Sequence, residues 1–259
     1  IATYNRGLLR YIPEKEKFIS YTADPKNPNA LSGNDIRAIY QDRSGTIWTG
    51  GRSSSIARFN LIAKKFNYIS NNPNNPNSLS DNDVTAIHQS SDGNLWIGTN
   101  GFGLNEYDQT NDRFRFYTTK NSALGSNNIQ TVYAASDYVW IGTRNGGLNR
   151  LDRKSGTITV YASNRNQAHS FSNNTIRAIL PDKPGFLWIG TKSAGLYLMD
   201  IKKEKLTPIQ NDPMNPNSLS GNDIRCLLRS RDGTLWIGTD GGGLNRFNSK
   251  DSTFTFWKS

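Results

Sequence analysis

The four residues Trp-Ile-Gly-Thr occur at Trp96, Trp140, Trp188 and Trp236, and a variant, Trp-Thr-Gly-Gly, begins at Trp48. The spacings are 48, 44, 48 and 48 residues. Phe59, Tyr107, Leu151, Met199 and Phe247 stand eleven places after each Trp. Ile36, Val84, Ile129, Ile176 and Ile224 stand twelve places before it, or eleven in the third copy. A fixed period in this range marks an array of supersecondary units, each unable to bury its apolar face alone.

Each unit reads as four short strands. The first resembles Asp35-Ile36-Arg37-Ala38-Ile39-Tyr40, and a turn such as Asp92-Gly93 follows it. Glycine suits that turn because tight hairpins require a positive φ. The second strand is Leu95-Trp96-Ile97-Gly98, and a glycine-rich loop such as Asp240-Gly241-Gly242-Gly243 follows. The third resembles Leu244-Asn245-Arg246-Phe247 and the fourth Phe254-Thr255-Phe256-Trp257. Long Asn/Pro/Ser linkers separate the units, and their prolines cannot extend a sheet. Four antiparallel strands per repeat of this length predict an all-β propeller of radial blades.

Side chains alternate along a strand, so Trp and the Gly two places on share a face. We expect Trp to pack against the neighbouring blade and Gly to leave room for something bulky. Ala38, Ala86, Thr131, Ala178 and Cys226 occupy one small first-strand position on that face. Cys226 is therefore expected to replace a buried alanine and to be inert.

The expected boundaries are an N-terminal half blade, 1–21, and full blades at about 34–69, 82–117, 127–161, 174–209 and 222–257. In the half blade, Gly7–Tyr11 matches a third strand and Lys17–Tyr21 a fourth. Five and a half blades read as part of a larger propeller. An open blade face is an association liability, so the remaining blades of the same protein and a homodimer are among the expected partners.

The chain of 259 residues is 35% hydrophobic and 11% aromatic, enough for a core, which excludes disorder. No apolar run reaches the roughly 20 residues of a membrane-spanning helix. A chain that begins Ile1-Ala2-Thr3 reads as an internal segment, so a missing leader says nothing about export. The single cysteine excludes an internal disulfide or a cysteine-cluster zinc site, and only His88 and His169 remain for histidine chemistry. No cofactor is expected. A net charge of +10 raises on-rates for anionic partners, but the basic residues are spread along the chain with no run of five, which points to a solvated surface. The basic residues are dispersed, and most aromatics sit at core registers, so nucleic acid is not an expected partner.

At Asp232-Gly233-Thr234-Leu235-Trp236-Ile237-Gly238-Thr239-Asp240-Gly241-Gly242-Gly243-Leu244-Asn245-Arg246-Phe247 the chain resembles the two-component regulator propeller repeat. The linker Asn217-Ser218-Leu219-Ser220-Gly221-Asn222-Asp223-Ile224 is equally typical, and the resemblance covers nearly the whole chain. The Gly-His and Trp-Asp pairs of WD40 repeats are missing. Two copies depart from the pattern. The first has Arg52-Ser53-Ser54-Ser55-Ile56-Ala57 in place of a glycine-rich loop, and the third has a linker shorter by three residues and no glycine near Asp137. The resemblance implies a periplasmic or extracellular sensor, the outer part of an inner-membrane protein. Its output domain would be a histidine kinase, a hybrid two-component regulator or a diguanylate cyclase, and its ligand class carbohydrate. A propeller-based glycan-active enzyme such as a lyase and a protein–protein interaction scaffold are the alternative readings.

No catalytic triad, carboxylate pair, metal set or nucleotide loop stands out, so no catalytic activity is expected of this segment. His88 falls at a first-strand position held elsewhere by Tyr40, Tyr133, Leu180 and Leu228, which points to packing. His169 lies in a linker. Asn34, Asn82, Asn127, Asn174 and Asn222 precede the first strand at one register, where an Asx side chain bonds nearby backbone.

Ligand contacts are expected where copies differ. Four residues after each Trp stand Arg52, Asn100, Arg144, Lys192 and Asp240, and one residue into the first strand stand Arg37, Thr85, Gln130, Arg177 and Arg225. Both sets are expected to ring one propeller face. The expected ligand-binding residues are Arg37, Arg52, Asn100, Arg144, Arg177, Lys192, Arg225 and Asp240. Arg and Lys suit carboxylate or sulfate groups, and Asn or Asp suits sugar hydroxyls.

Overall fold

The computed structural model describes residues 1–27, 29–52, 55–60, 65–162, 171 and 175–258, with the side chains of 60 and 65–67 outside the description. His169 and Asn174 therefore lie outside the described residues. The fold is an all-β propeller built of four-stranded antiparallel blades. A two-stranded sheet comes first, β1 (Leu8–Ile12) with β2 (Lys17–Tyr21). Blade one holds β3 (Ile36–Gln41), β4 (Ile47–Gly51), β5 (Ile56–Asn60) and β6 (Lys65–Ile69). Blade two holds β7 (Val84–Gln89), β8 (Leu95–Thr99), β9 (Leu104–Asp108) and β10 (Arg113–Tyr117). Blade three holds β11 (Ile129–Ala134), β12 (Tyr138–Thr143), β13 (Leu148–Asp152) and β14 (Ile158–Tyr161). Blade four holds β15 (Ile176–Pro181), β16 (Phe186–Thr191), β17 (Leu196–Asp200) and β18 (Lys205–Ile209). Blade five holds β19 (Ile224–Arg229), β20 (Leu235–Thr239), β21 (Gly243–Asn248) and β22 (Thr253–Trp257). In every blade the strands neighbour one another in chain order. Among the described residues the one helical segment is a 3₁₀ turn, Pro13–Lys15.

The chain divides into two compact units, residues 1–122 with 127–139, and residues 123–126 with 140–259. In the first unit, Trp48, Ile56, Leu79, Val84, Leu95 and Ile97 form one buried cluster that joins blades one and two. Leu8, Leu31, Ile36, Ala57 and Phe59 join the two-stranded sheet to blade one. In the second unit, Trp188, Leu196, Ile224, Leu235, Ile237 and Phe254 join blades four and five.

The conserved-looking spacing of Trp and Gly has a direct steric cause. A Cβ on Gly50 would lie 2.4 Å from Val84 Cγ1, and one on Gly98 2.4 Å from Ile129 Cγ2. Each glycine thus admits the β-branched residue that opens the next blade's first strand. Trp48, Trp96, Trp140 and Trp188 are buried on the same face, as expected. Three indoles are also anchored through Nε1: Trp48 donates to Asp42 at 2.7 Å, Trp96 to Ser90 and Trp236 to Ser230, both at 3.2 Å.

His88 packs as its register implies. Its ring lies between Tyr40 and Tyr133, with centroids 5.6 and 5.1 Å away. Nδ1 accepts the Ala134 N–H at 3.2 Å. Burial lowers its pKa from 6.5 to about 4, so the ring is neutral near pH 7.

Cys226 departs from expectation. It is exposed, whereas Ala86 and Ala178 at the same register are buried. Trp236 on the same face is only half-buried.

The pre-strand asparagines are fasteners. The Oδ1 atoms of Asn34, Asn82 and Asn222 accept the N–H of Ala23, Asn71 and Asn211, each eleven residues upstream, at 2.7–2.8 Å. Asn127 accepts from Thr119, eight residues upstream, so the linker that is three residues shorter keeps the same bond. Their main-chain carbonyls accept the N–H of Gly7, Ser55, Gly103 and Gly195 at the head of the preceding third strand.

Candidate functional site

The loop after the second strand and the start of the first strand meet at one end of each blade. The Asn100 N–H donates to Asp83 O at 3.0 Å, the Lys192 N–H to Thr175 O at 3.0 Å and the Asp240 N–H to Asp223 O at 2.8 Å. One backbone geometry therefore holds three unlike side chains. Arg52, Asn100, Arg144, Lys192 and Asp240 are all exposed.

The first-strand positions owe their direction to a bulge. The β3–β4 register shifts between Ile36 and Ala38, and the same shift falls between Val84/Ala86, Ile176/Ala178 and Ile224/Cys226. Arg37, Thr85, Arg177 and Arg225 are the extra residues, left out of the ladder and re-aimed by it. The sequence reading missed this bulge, because an inserted residue leaves the spacing of apolar positions readable as a plain strand.

Those re-aimed side chains mostly bind the protein itself. Arg37 Nη2 bonds Asp35 at 3.3 Å, and its Nη1 lies 3.9 Å from Asp83 of blade two. Thr85 Oγ1 donates to Gly98 O at 3.1 Å and shares Ile129 O at 2.8 Å. Arg177 pairs with Asp223 of blade five. Arg225 pairs with Asp240, and its Nε lies 3.7 Å from Asp223. The hydrogen bond from Arg225, and then its charge, hold the Asp240 carboxyl below the usual carboxylate range. Asn100 Nδ2 donates to Asp83 at 2.9 Å.

The eight expected residues thus separate into two groups. Arg37, Arg177, Arg225, Asp240 and Asn100 tie one element to another. Arg52 in the first unit and Arg144 and Lys192 in the second make no ion pair among the described residues. The acidic partners Asp35, Asp83 and Asp223 were missed, although the recurring Asn-Asp pair before the first strand was their visible signal.

Two further features of these ends were not foreseen. Asn105, Asn149 and Asn245 on the third strands are fully buried. Asn105 accepts the Ser80 N–H at 2.9 Å and donates to Ile97 O at 3.2 Å, and Asn245 does the same for Ser220 and Ile237. Phe102 is 53% exposed, between Gly101 and Gly103 with φ of 99° and 86°, where other copies carry Gly146, Ala194 and Gly242.

These features define a repeat β-propeller in which a common backbone displays individual side chains at the loop-bearing blade ends. The two component regulator propeller family model matches the chain at residues 30–53, 78–101, 170–193 and 218–241. The third copy, around Trp140, falls outside those matches, in line with its shortened linker. No curated protein matches the sequence.

Among solved structures, the extracellular domain assigned to the hybrid two component system BT3049 of B. thetaiotaomicron shares 24% identity at a TM-score of 0.82, over 98% of this chain and 32% of that one. The extracellular domain assigned to the hybrid two component system BT4673 of the same organism shares 17% identity at a TM-score of 0.54, over 98% and 47%. PorZ, a surface component of the type-IX secretion system of Porphyromonas gingivalis, shares 15% at a TM-score of 0.69, over 93% and 36%. The likeness at these identities is one of fold, and the chain spans between about a third and a half of those structures. Among the described residues no helix is long and apolar enough to cross a membrane.

Proposed function

We propose that this chain is an extracytoplasmic ligand-sensing module of a two-component-type signalling receptor. It binds an anionic or hydroxyl-rich ligand, of the carbohydrate class, at the loop-bearing blade ends. It acts by binding alone, and the catalytic output belongs to a kinase or cyclase domain of the same protein.

One observation carries this reading: Asn100, Lys192 and Asp240 share a backbone hydrogen bond yet differ in chemistry, and all five post-Trp residues are exposed. A position that packing alone governs has no reason to vary between Arg, Asn, Lys and Asp. Arg144 and Lys192, both in the second unit, supply charge not spent on ion pairs among the described residues. Charge-assisted hydrogen bonds contribute about 1.5–3 kcal/mol each, so a handful offsets the ordering cost and leaves micromolar-scale affinity.

The test is calorimetric titration of the complete ectodomain against neutral and acidic oligosaccharides. Arg144→Ala with Lys192→Ala is expected to weaken acidic ligands selectively. Binding that survives the double substitution unchanged removes these residues from the site.

A further inference from the structure

In blades one and two the first strand ends on a side chain that braces the hairpin turn after it. Gln41 Nε2 donates to Gly45 O at 3.3 Å and Gln89 Nε2 to Gly93 O at 3.2 Å. In blade five that place holds Arg229, whose Nη1 donates to Gly233 O at 2.9 Å. The arginine keeps the brace and adds a charge. Its Nη2 pairs with Asp182 of blade four.

That pairing takes Asp182 from another claimant. Asp42, Ser90 and Ser230 stand six residues before Trp48, Trp96 and Trp236 and accept their indole N–H. Asp182 stands six residues before Trp188. Trp188 is only 4% exposed, yet its Nε1 has no hydrogen-bond partner among the described residues. The turn explains the difference. The Ser44 N–H holds Asp42 Oδ1 at 2.9 Å, whereas Pro184 stands at that place in blade four and has no N–H to give. Asp182 is left to turn to Arg229, and a buried donor left unpaired is costly.

Beside this pair lies a pocket of about 310 Å³ at the hairpin-turn end of blades four and five, lined by Asp182, Trp188, Arg229, Gly233 and Ser249 among others. In blade two Gln109, at the register of Ser249, reaches across to the turn and donates to Gly93 O at 2.8 Å. Ser249 is too short to do so, and the space stays open. Arg246 and Lys250 also line the pocket and make no ion pair among the described residues. Asp232, the second acid of the lining, already accepts from Ser230 Oγ at 2.6 Å and from the Thr234 N–H at 3.0 Å. Donors therefore outnumber uncommitted acceptors, which favours a ligand group that only accepts.

We infer that this pocket binds an oxyanion group, phosphate or sulfate, through Arg229. The anion displaces Asp182 from the guanidinium, and the freed carboxylate accepts the Trp188 N–H. The inference goes beyond the ligand proposed at the loop-bearing ends and does not depend on it.

The experiment follows the indole N–H resonances of the six tryptophans by nuclear magnetic resonance. The titrant is inorganic phosphate at constant ionic strength, and Trp188→Phe assigns the signal. The Trp188 signal is expected to move downfield and to saturate. Glucose 6-phosphate is the second titrant: tighter binding marks the group as the end of a larger ligand, and no gain marks the free anion. Two variants borrow residues that other blades already carry. Arg229→Gln keeps the brace to Gly233 and is expected to weaken phosphate at least about tenfold, the loss of one charge-assisted hydrogen bond. In that variant the Trp188 signal is expected to lie downfield before any anion is added. Ser249→Gln fills the pocket as Gln109 does and is expected to weaken phosphate to a similar degree. A Trp188 signal that phosphate leaves in place, or that responds as fully in both variants, overturns the inference.

Discussion

Ile224, the first residue of β19, occupies the space that a side chain on Gly190 of β16 would need. A Cβ there would lie 2.5 Å from Ile224 Cγ2 and 3.3 Å from the Ala178 Cβ. The pairing joins two blades whose sequences are otherwise independent. Gly190→Val is expected to destabilise by at least about 1–3 kcal/mol, the range for overpacking a filled core. Urea denaturation checks this, and an unchanged midpoint contradicts it. Gly93→Ala is the contrast: nothing lies near its Cβ, and the cost is only that of a φ of 95°, about 1–2 kcal/mol.

His88 makes stability depend on pH in a stated direction. Its folded pKa of about 4 lies below the ordinary 6.5. The unfolded chain therefore binds more protons between those values, and stability falls as pH drops through that window. The full contribution is present above pH 6.5 and exhausted below about 4. Its size is at most about 3 kcal/mol, from 1.36 kcal/mol per pKa unit. Comparing denaturation of the parent and His88→Phe at pH 7 and pH 4.5 isolates it. A difference that does not change with pH refutes the neutral, buried ring.

Asn105 gives a third test. Asn105→Ala orphans the Ser80 N–H and the Ile97 carbonyl and is expected to cost about 1–3 kcal/mol. Asn105→Asp keeps an acceptor for Ser80 but buries a charge and is expected to cost more at neutral pH. Equal melting temperatures for Asp and Asn at pH 7 would show that the site is wetter than its burial implies.

The strand pattern, the interblade role of Trp and Gly, and the packing of His88 were legible from spacing alone, because repeated registers expose core positions. The asparagine fasteners were legible for the same reason. The exposure of Cys226 was not, since spacing cannot say whether a neighbouring blade is present. At the blade ends the sequence located the variable residues but not their partners. Arg177 and Arg225 read as ligand cations, whereas in the fold they pair with Asp223 and with Asp240, itself an expected ligand residue. A contact between blades 46 residues apart has no local signature.

The two groups of cations should part experimentally. Arg177→Ala breaks a partly buried tie to Asp223 and is expected to cost up to about 1 kcal/mol, less at high salt. Arg144→Ala and Lys192→Ala are expected to leave the melting temperature unchanged. A fall for Arg144→Ala as large as that for Arg177→Ala would show that Arg144 is structural.

Hydrogen exchange on the complete ectodomain, with and without an acidic oligosaccharide found to bind, tests the central claim most directly. The account predicts that added protection falls on the segments 143–147 and 191–195, after Trp140 and Trp188. Protection confined to the hairpin turns at the other end, around Asp182–Phe186 and Asp232–Thr234, with none at Arg144 or Lys192, would contradict it.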